Sequence, residues 1–233
     1  MAQQQNSHIL QGETAQTLDR GLRVLEVLAE HPAGLSIAEI ASRLDLHRTI
    51  TYRLLNTLLA HRLIRRMNEG HYCLGVGLVE LARQVVPRLQ AAALPELRRL
   101  AEALGVTTCL TVLDGDEAVV LTTIEPNTSP MHVVYRPGYR HVLDQGASGL
   151  AILAGRPPYP GERAEVTLAR QRGYAVSTGE IQSGVSGISA PIQVNGQPAE
   201  ASIGVILLGK IDETNFASPV IAAARTIADA LAW

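Results

Sequence analysis

Arg48, Thr49, Tyr52, Arg53 and Asn56 place two guanidinium groups, a hydroxyl, a phenol and an amide within nine residues. At about 100° per residue they share one arc of a helix predicted from His47 to Ala60, and Ile50, Leu54, Leu55 and Leu58 share the other. Groups of this kind pair with phosphate oxygens and base edges: arginine with guanine, asparagine with adenine, threonine with a thymine methyl or a phosphate. Most of them sit in the first turn, the end of a recognition helix that usually enters the groove. Thr51 falls on the inner arc and reads as packing. The bland alternative is a solvated polar face. Against it, the stretch from Arg48 to Asn56 has no carboxylate, whereas solvated faces usually mix both signs.

A second set of reactive side chains lies downstream. His141, Asp144 and Ser148 invite comparison with a hydrolytic triad, but the Gly-x-Ser-x-Gly elbow is absent. Gly146-Ala147-Ser148-Gly149 reads as a loop-to-helix junction, glycine turning the chain and serine capping the helix. The sequence contains no P-loop, dinucleotide fingerprint or metal-ligand spacing. His132 and His141 are too isolated to suggest a metal. Cys73 and Cys109 are too few for a disulfide framework and read as buried thiols. No catalytic residue, metal or cofactor is expected, and the chain is not expected to be an enzyme. The rival reading is a small-molecule-binding enzyme carrying a vestigial helix-turn-helix.

The elements around the first set give it a frame. Ser36-Ile37-Ala38-Glu39 fits a capping box, with hydroxyl and carboxylate each accepting the other residue's backbone N–H. Ile37, Ile40, Ala41 and Leu44 then recur at helical spacing. Asp45 and Leu46 leave room only for a tight turn before the polar helix. Leu18, Leu22, Leu25 and Leu28 mark an earlier helix from about Thr17 to Glu30. After the polar helix, Leu63 to Met67 and His71 to Leu74 flank Asn68-Glu69-Gly70, a three-residue hairpin loop whose glycine takes the left-handed position. Arg65, Arg66 and His71 project from this basic hairpin. The whole pattern is a winged helix-turn-helix, with Ser36, Arg48, Thr49, Tyr52, Arg53, Asn56, Arg65, Arg66 and His71 as candidate DNA contacts. From Ser42 to Tyr72 six arginines face only Asp45 and Glu69, while the whole chain carries −2. Positive charge is thus concentrated in one patch, the footprint of a DNA reader.

The 233 residues suffice for two modest domains. No stretch approaches the roughly 20 apolar residues that a membrane span needs, and the polar start lacks a signal core. A cytoplasmic location and no membrane partner are therefore expected. Past the hairpin, a linker helix is predicted over Val79 to Val86 and a further helix near Pro95 to Leu104, separated because proline sits poorly inside a helix. From Val106 the period changes. Strands are predicted at Thr107–Leu113 and Ala118–Ile124 around Asp114-Gly115-Asp116, at Met131–Tyr135, and at Val185–Val194 and Ala199–Leu208 around Asn195-Gly196. Helices are predicted at Gly146–Leu153, Gly161–Gln171 and Phe216–Leu231. The fold class is α+β in two domains, the second an antiparallel sheet flanked by helices, able to hold a small molecule on one face. The expected division is a flexible tail over 1–16, the winged helix-turn-helix over 17–76, the linker helix over 77–94 and the effector domain over 95–233.

Over nearly its whole length the chain resembles the IclR family of bacterial transcription regulators. The resemblance is carried in order by Leu18-Asp19-Arg20-Gly21-Leu22-Arg23-Val24-Leu25, Ile37-Ala38-Glu39-Ile40-Ala41, Tyr52-Arg53-Leu54-Leu55-Asn56-Thr57-Leu58, Tyr72-Cys73-Leu74-Gly75, Val112-Leu113-Asp114-Gly115-Asp116-Glu117, Arg172-Gly173-Tyr174-Ala175 and Ile188-Ser189-Ala190-Pro191-Ile192. It implies a GAF-like second domain, a small organic effector, a homodimer or dimer of dimers, and a pseudo-palindromic operator on double-stranded DNA, with repression as the expected sense. It places effector contacts at Ala147, Ser148, Ser177, Gly187, Ile206 and Leu208. In relatives that take small organic acids several such positions are polar. Here Gly187, Ile206 and Leu208 offer no polar anchor, so the expectation is either an effector less acidic or more apolar than a short keto acid, or a domain that has lost ligand binding. Two departures stand out. The polar helix opens His47-Arg48-Thr49-Ile50 rather than with the usual small residue and Ser-Thr pair, and the segment between Ala154 and Gly173 is short.

Overall fold

The computed structural model describes residues 15–83, 85–126, 133 and 135–232, without the Glu69 side chain. The chain divides into two compact units, Met1–Val85 and Val86–Trp233. Most of the expected N-terminal tail lies outside the described residues.

The first unit packs helices α1 (Gln16–Ala29), α2 (Ile37–Arg43) and α3 (Arg48–Ala60) over a hairpin of β1 (Ile64–Arg66) and β2 (Tyr72–Leu74). Its core joins Val24, Leu28, Ile40, Leu54, Leu55, Leu58 and Ile64. α2 begins at Ser36 with both halves of the capping box, Glu39 N to Ser36 Oγ at 3.3 Å and Ser36 N to Glu39 Oε2 at 2.8 Å. The turn into α3 places Asp45 at φ 51°, a left-handed position that a short polar side chain tolerates. Thr51 is fully buried on the packing side of α3, as its place on the inner arc requires. Leu35 bridges to Tyr72 and adds a third segment to the hairpin. α1 is rotated from its expected face. Leu18 and Leu22 are exposed, and the buried stripe is Gly21, Val24 and Leu28. A leucine repeat marks a helix without saying which of its sides the neighbours cover.

α4 (Gly77–Ala82) closes the first unit, shorter than the linker helix expected to Val86. The second unit opens with α5 (Pro87–Leu104), which continues through Pro95 instead of starting there. Pro87 stands at the first position, where its missing N–H is harmless. Pro95 is exposed, and burial of Ala93, Leu97, Leu100 and Ala101 on the opposite stripe holds the helix across the lost bond.

The sheet is antiparallel and six-stranded. β3 (Thr107–Asp114), β4 (Glu117–Ile124), β5 (Arg140–Val142), β6 (Ala175–Thr178), β7 (Val185–Ile192) and β8 (Ala201–Leu208) lie in the order β5-β4-β3-β8-β7-β6. The outer neighbour of β4 is Arg140–Val142; of the strand expected at Met131–Tyr135, residues 131, 132 and 134 lie outside the described residues. Alternation sorts the two faces. Leu110, Ile188, Ala190, Ile203 and Val205 pack against α5 and α8 (Glu213–Leu231) through Leu97, Leu100, Val220 and Ile227. On the other face lie α6 (Gly146–Ala154) and α7 (Ala164–Arg172), held by Leu150, Ala151, Val166 and Ala169. α7 starts three residues later than expected, and β6 was not foreseen at all. Four residues give too short a run for period two to register.

Candidate nucleic-acid face and effector pocket

On the first unit, Arg48, Thr49, Tyr52, Arg53 and Asn56 are all exposed along one side of α3. Their side of the helix is free because Thr51, Leu54, Leu55 and Leu58 take the buried side. Ser36, Arg48, Thr49 and Tyr52 line one open cleft with Gly70 of the hairpin loop. Arg65 and Arg66 are exposed on β1 beyond the buried Ile64. His71 is half-buried, its Nε2 3.8 Å from Glu39 Oε2. The Ser36 hydroxyl donates to Glu39 Oε2 at 2.7 Å while accepting from the Glu39 N–H, so the cap already engages it on both sides. The Ser36 hydrogen bonds hold the Glu39 carboxyl below its usual range, with His71 and Arg43 assisting. Among the described side chains the surface therefore presents arginines and neutral hydrogen-bonding groups beside the capped Glu39 carboxylate.

The second unit encloses a pocket between α6 and the sheet. Its cavity is small, about 30 Å³, within about 440 Å³ of empty space that includes open solvent at the mouth, and it is lined by Ala147, Ser148, Ser177, Gly187 and Ile206, together with Cys109, Val120, Tyr135, His141, Gly146, Ile181, Val185 and Ser189. Sheet register explains much of the assembly. Ile206, Gly187 and Ser177 are direct partners across β8, β7 and β6, so they form one row on one face. Cys109, Gly204 and Ser189 form the next such row. Gly187 leaves the floor open: a Cβ there would stand 3.4 Å from Ala147 Cβ and 3.5 Å from Ile206 Cγ2. Leu208 is a correction. It pairs with the pocket-lining Val185 but is itself 48% exposed and is not part of the lining. Among the described residues the lining contains no arginine, lysine, aspartate or glutamate.

The polar groups of the pocket are neutral. Burial lowers the His141 imidazole, against backbone hydrogen bonds that raise it. Its Nε2 is 3.1 Å from Ser148 Oγ and its Nδ1 3.0 Å from the Val142 carbonyl. A proton on Nδ1 would donate to that carbonyl and leave Nε2 to accept the serine O–H. Burial pushes the Tyr135 phenol to about 12, with Tyr139 and Cys109 assisting, and the Cys109 thiol to about 11. Tyr135 stacks on Tyr139 at 4.8 Å, and the Thr123 hydroxyl holds its carbonyl at 2.7 Å. Its own hydroxyl is buried and, among the described residues, has no hydrogen-bond partner. The first N–H groups of α6 are taken from within: Gly146 N donates to Glu180 Oε2 and Ala147 N to Ser177 Oγ, each at 2.8 Å.

Tyr135, Ser189 and Cys109 escaped the sequence reading. Ser189 and Cys109 carried a usable signal, since strand alternation puts Ser189 on the face of Gly187. Tyr135 carried none, because it stands outside the regular strands. The expectation of no polar anchor holds for Gly187 and Ile206 but not for the pocket, which Tyr135, His141 and Ser189 make polar. Among the described residues no group of three or more histidines, cysteines or carboxylates is placed to hold a metal ion, and no helix is long and apolar enough to cross a membrane.

Comparison with known proteins agrees with this division. Residues 17–67 match the family model described as the IclR helix-turn-helix domain, and residues 85–164 that of the bacterial transcriptional regulator IclR C-terminal domain. The HTH-type transcriptional regulator BhcR of Paracoccus denitrificans is 30% identical over 224 residues, covering 81% of this chain and 76% of its own. The HTH-type transcriptional regulator Rv1719 of Mycobacterium tuberculosis is 35% identical over 150 residues, and the alignment spans 64% of this chain and 58% of that relative. Among solved structures, an IclR homolog from Microbacterium hydrocarbonoxydans complexed with 4-hydroxybenzoate superposes with a TM-score of 0.81 at 23% identity, over 92% of this chain and 98% of its own, a likeness of fold.

Proposed function

The chain belongs to the IclR family of bacterial transcriptional regulators, and on that premise we propose that it binds an operator through α3 and tunes that binding with a small molecule held beneath α6. The observation that carries the reading is the carboxylate-free, exposed side of α3 formed by Arg48, Thr49, Tyr52, Arg53 and Asn56 beside the basic hairpin. Arg48, Arg53, Arg65 and Arg66 neutralise phosphates or read guanines. Thr49, Tyr52 and Asn56 contribute hydrogen bonds, and Ser36 and His71 border the face. The effector lies against Ala147, Ser148, Ser177, Gly187 and Ile206, and acts by favouring one of two arrangements of the DNA modules. Repression is the expected sense, in the cytoplasm, by a homodimer or dimer of dimers on a pseudo-palindromic site. Exposed Leu18, Leu22, Val76, Val79 and Leu81 offer the first unit an apolar surface for a second copy.

The test is fluorescence anisotropy of the purified protein on DNA upstream of its own gene, specific against scrambled, across a salt series. Saturable, selective binding with a steep salt slope is expected. Equal, weak binding to every genomic fragment, with and without ligands, would end the reading.

The His141–Ser148 contact is the one observation that favours an enzyme. The Nδ1 contact of His141 is to a backbone carbonyl, so among the described residues no carboxylate orients the ring as a triad requires, and the Gly146 and Ala147 N–H groups at the start of α6 are occupied. No hydrolysis of activated esters above a Ser148→Ala control is expected.

A further inference from the structure

We propose that the pocket beneath α6 selects an uncharged ligand bearing a hydroxyl or carbonyl oxygen, with Tyr135 as its anchor and Glu180 as an internal carboxylate that keeps anionic ligands out. The proposal rests on the ligand-sensing reading above and narrows it to a chemical class.

Three observations converge. First, among the described residues the lining has no arginine or lysine, and burial lowers the His141 imidazole, disfavouring its charged form. Transfer of an unpaired carboxylate out of water into such surroundings is strongly unfavourable. Second, the one place nearby where an anion would be welcome, the N-terminus of α6, is filled by the protein itself. Glu180 accepts the Gly146 N–H at 2.8 Å, and Arg163 holds its other oxygen at 2.8 Å. Arg163 is fixed in turn on the Asp144 carbonyl at 2.6 Å. A ligand carboxylate would have to displace a carboxylate already paired with its counter-ion, and would meet its negative charge while doing so. Third, Tyr135 lines the pocket, and among the described residues its hydroxyl is buried without a hydrogen-bond partner. A buried donor left unmade is unfavourable, and a neutral ligand oxygen would satisfy it without introducing charge. The segment bearing Glu180 also closes the site. Ile181 lines the pocket over Gly146, between Gly179 and Gly184, both at positive φ.

The experiment is isothermal titration calorimetry of the full chain with two probes of the same shape and opposite charge state, 4-hydroxybenzamide and 4-hydroxybenzoate. Wild type is expected to bind the amide and to bind the carboxylate at least tenfold more weakly. Tyr135→Phe should weaken the amide about fivefold, the loss expected of one hydrogen bond. Glu180→Ala should narrow or reverse the preference, since it frees Arg163 and the Gly146 N–H together. Tighter binding of the carboxylate by wild type, or an amide affinity unmoved by Tyr135→Phe, would overturn the proposal while leaving ligand sensing intact. If neither probe binds, nor any member of matched panels of neutral phenols, alcohols and carboxylic acids, the proposal falls together with the reading beneath it.

Discussion

Each arginine on the DNA face has a chemistry that an alanine substitution would expose. If Arg48 meets a phosphate, Arg48→Ala should reduce the slope of log affinity against log salt by about 0.9 and weaken every duplex alike. If instead it forks onto a guanine, it should cost about 1–3 kcal/mol at that base pair and leave other sequences nearly unaffected. The same holds for Arg53, and titrations at several salt concentrations on matched and mismatched duplexes separate the cases. A slope unchanged in single variants of Arg48, Arg53, Arg65 and Arg66 would refute the assignment. Tyr135 makes the opposite kind of prediction. Among the described residues its hydroxyl is buried without a partner, so Tyr135→Phe should stabilise the ligand-free protein by about 1 kcal/mol, read as a higher unfolding midpoint in urea. A lower midpoint would mean that the hydroxyl has a partner in solution. The two sites differ in how far the sequence shows them. Arg48 to Asn56 lie on one helix, so spacing alone puts them together, whereas Tyr135 and Ser189, far apart in sequence, come together only as walls of one pocket.

Elements were legible where a local pattern closes on itself. The capping box at Ser36 and Glu39 is a four-residue motif, and the structure makes both of its hydrogen bonds. Ser36→Ala should destabilise the first unit by about 1 kcal/mol, seen as a lower thermal midpoint. Should the midpoint hold while DNA affinity drops, Ser36 would be a DNA contact rather than a cap. The legibility fails where tertiary context decides. A leucine repeat predicted α1, yet Leu18 and Leu22 face outward, because Gly21, Val24 and Leu28 take the buried side with Leu25 and Val27 packed partly beside them. Pro95 suggested a break, yet α5 runs through it on the strength of its buried stripe. In the sheet, Gly187 offers a cleaner trial of the pocket than any bulky change. Its Cβ would land at ordinary contact distance from Ala147 and Ile206, so Gly187→Ala should fold with an unchanged or slightly raised midpoint, alanine being the better strand residue. It should nonetheless narrow the cavity floor and weaken the ligand several-fold by calorimetry. Unchanged affinity would move the effector elsewhere.

At the scale of the molecule, DNA recognition by one compact unit reads a short sequence, and half-site spacing extends it only if two copies are held together. The first unit exposes Leu18 at 63% and Leu22 at 50%, one turn apart on α1, and Val76 at 68% and Val79 at 63% at the start of α4. Apolar surface of this kind favours a partner over water. Because these side chains are exposed, Leu18→Ser with Leu22→Ser should leave the fold intact, a premise that circular dichroism checks. In analytical ultracentrifugation the wild type should sediment as a dimer or larger, and the double variant should shift toward the mass of one chain. On DNA the consequence separates assembly from contact. Affinity for a duplex with two half-sites should fall sharply in the double variant, since linkage of the two modules is lost. Affinity for a single half-site should stay where it was, because the α3 face is untouched. Equal losses on both duplexes would place Leu18 and Leu22 in the DNA-reading surface itself, and an unchanged mass would transfer dimerisation to the second unit.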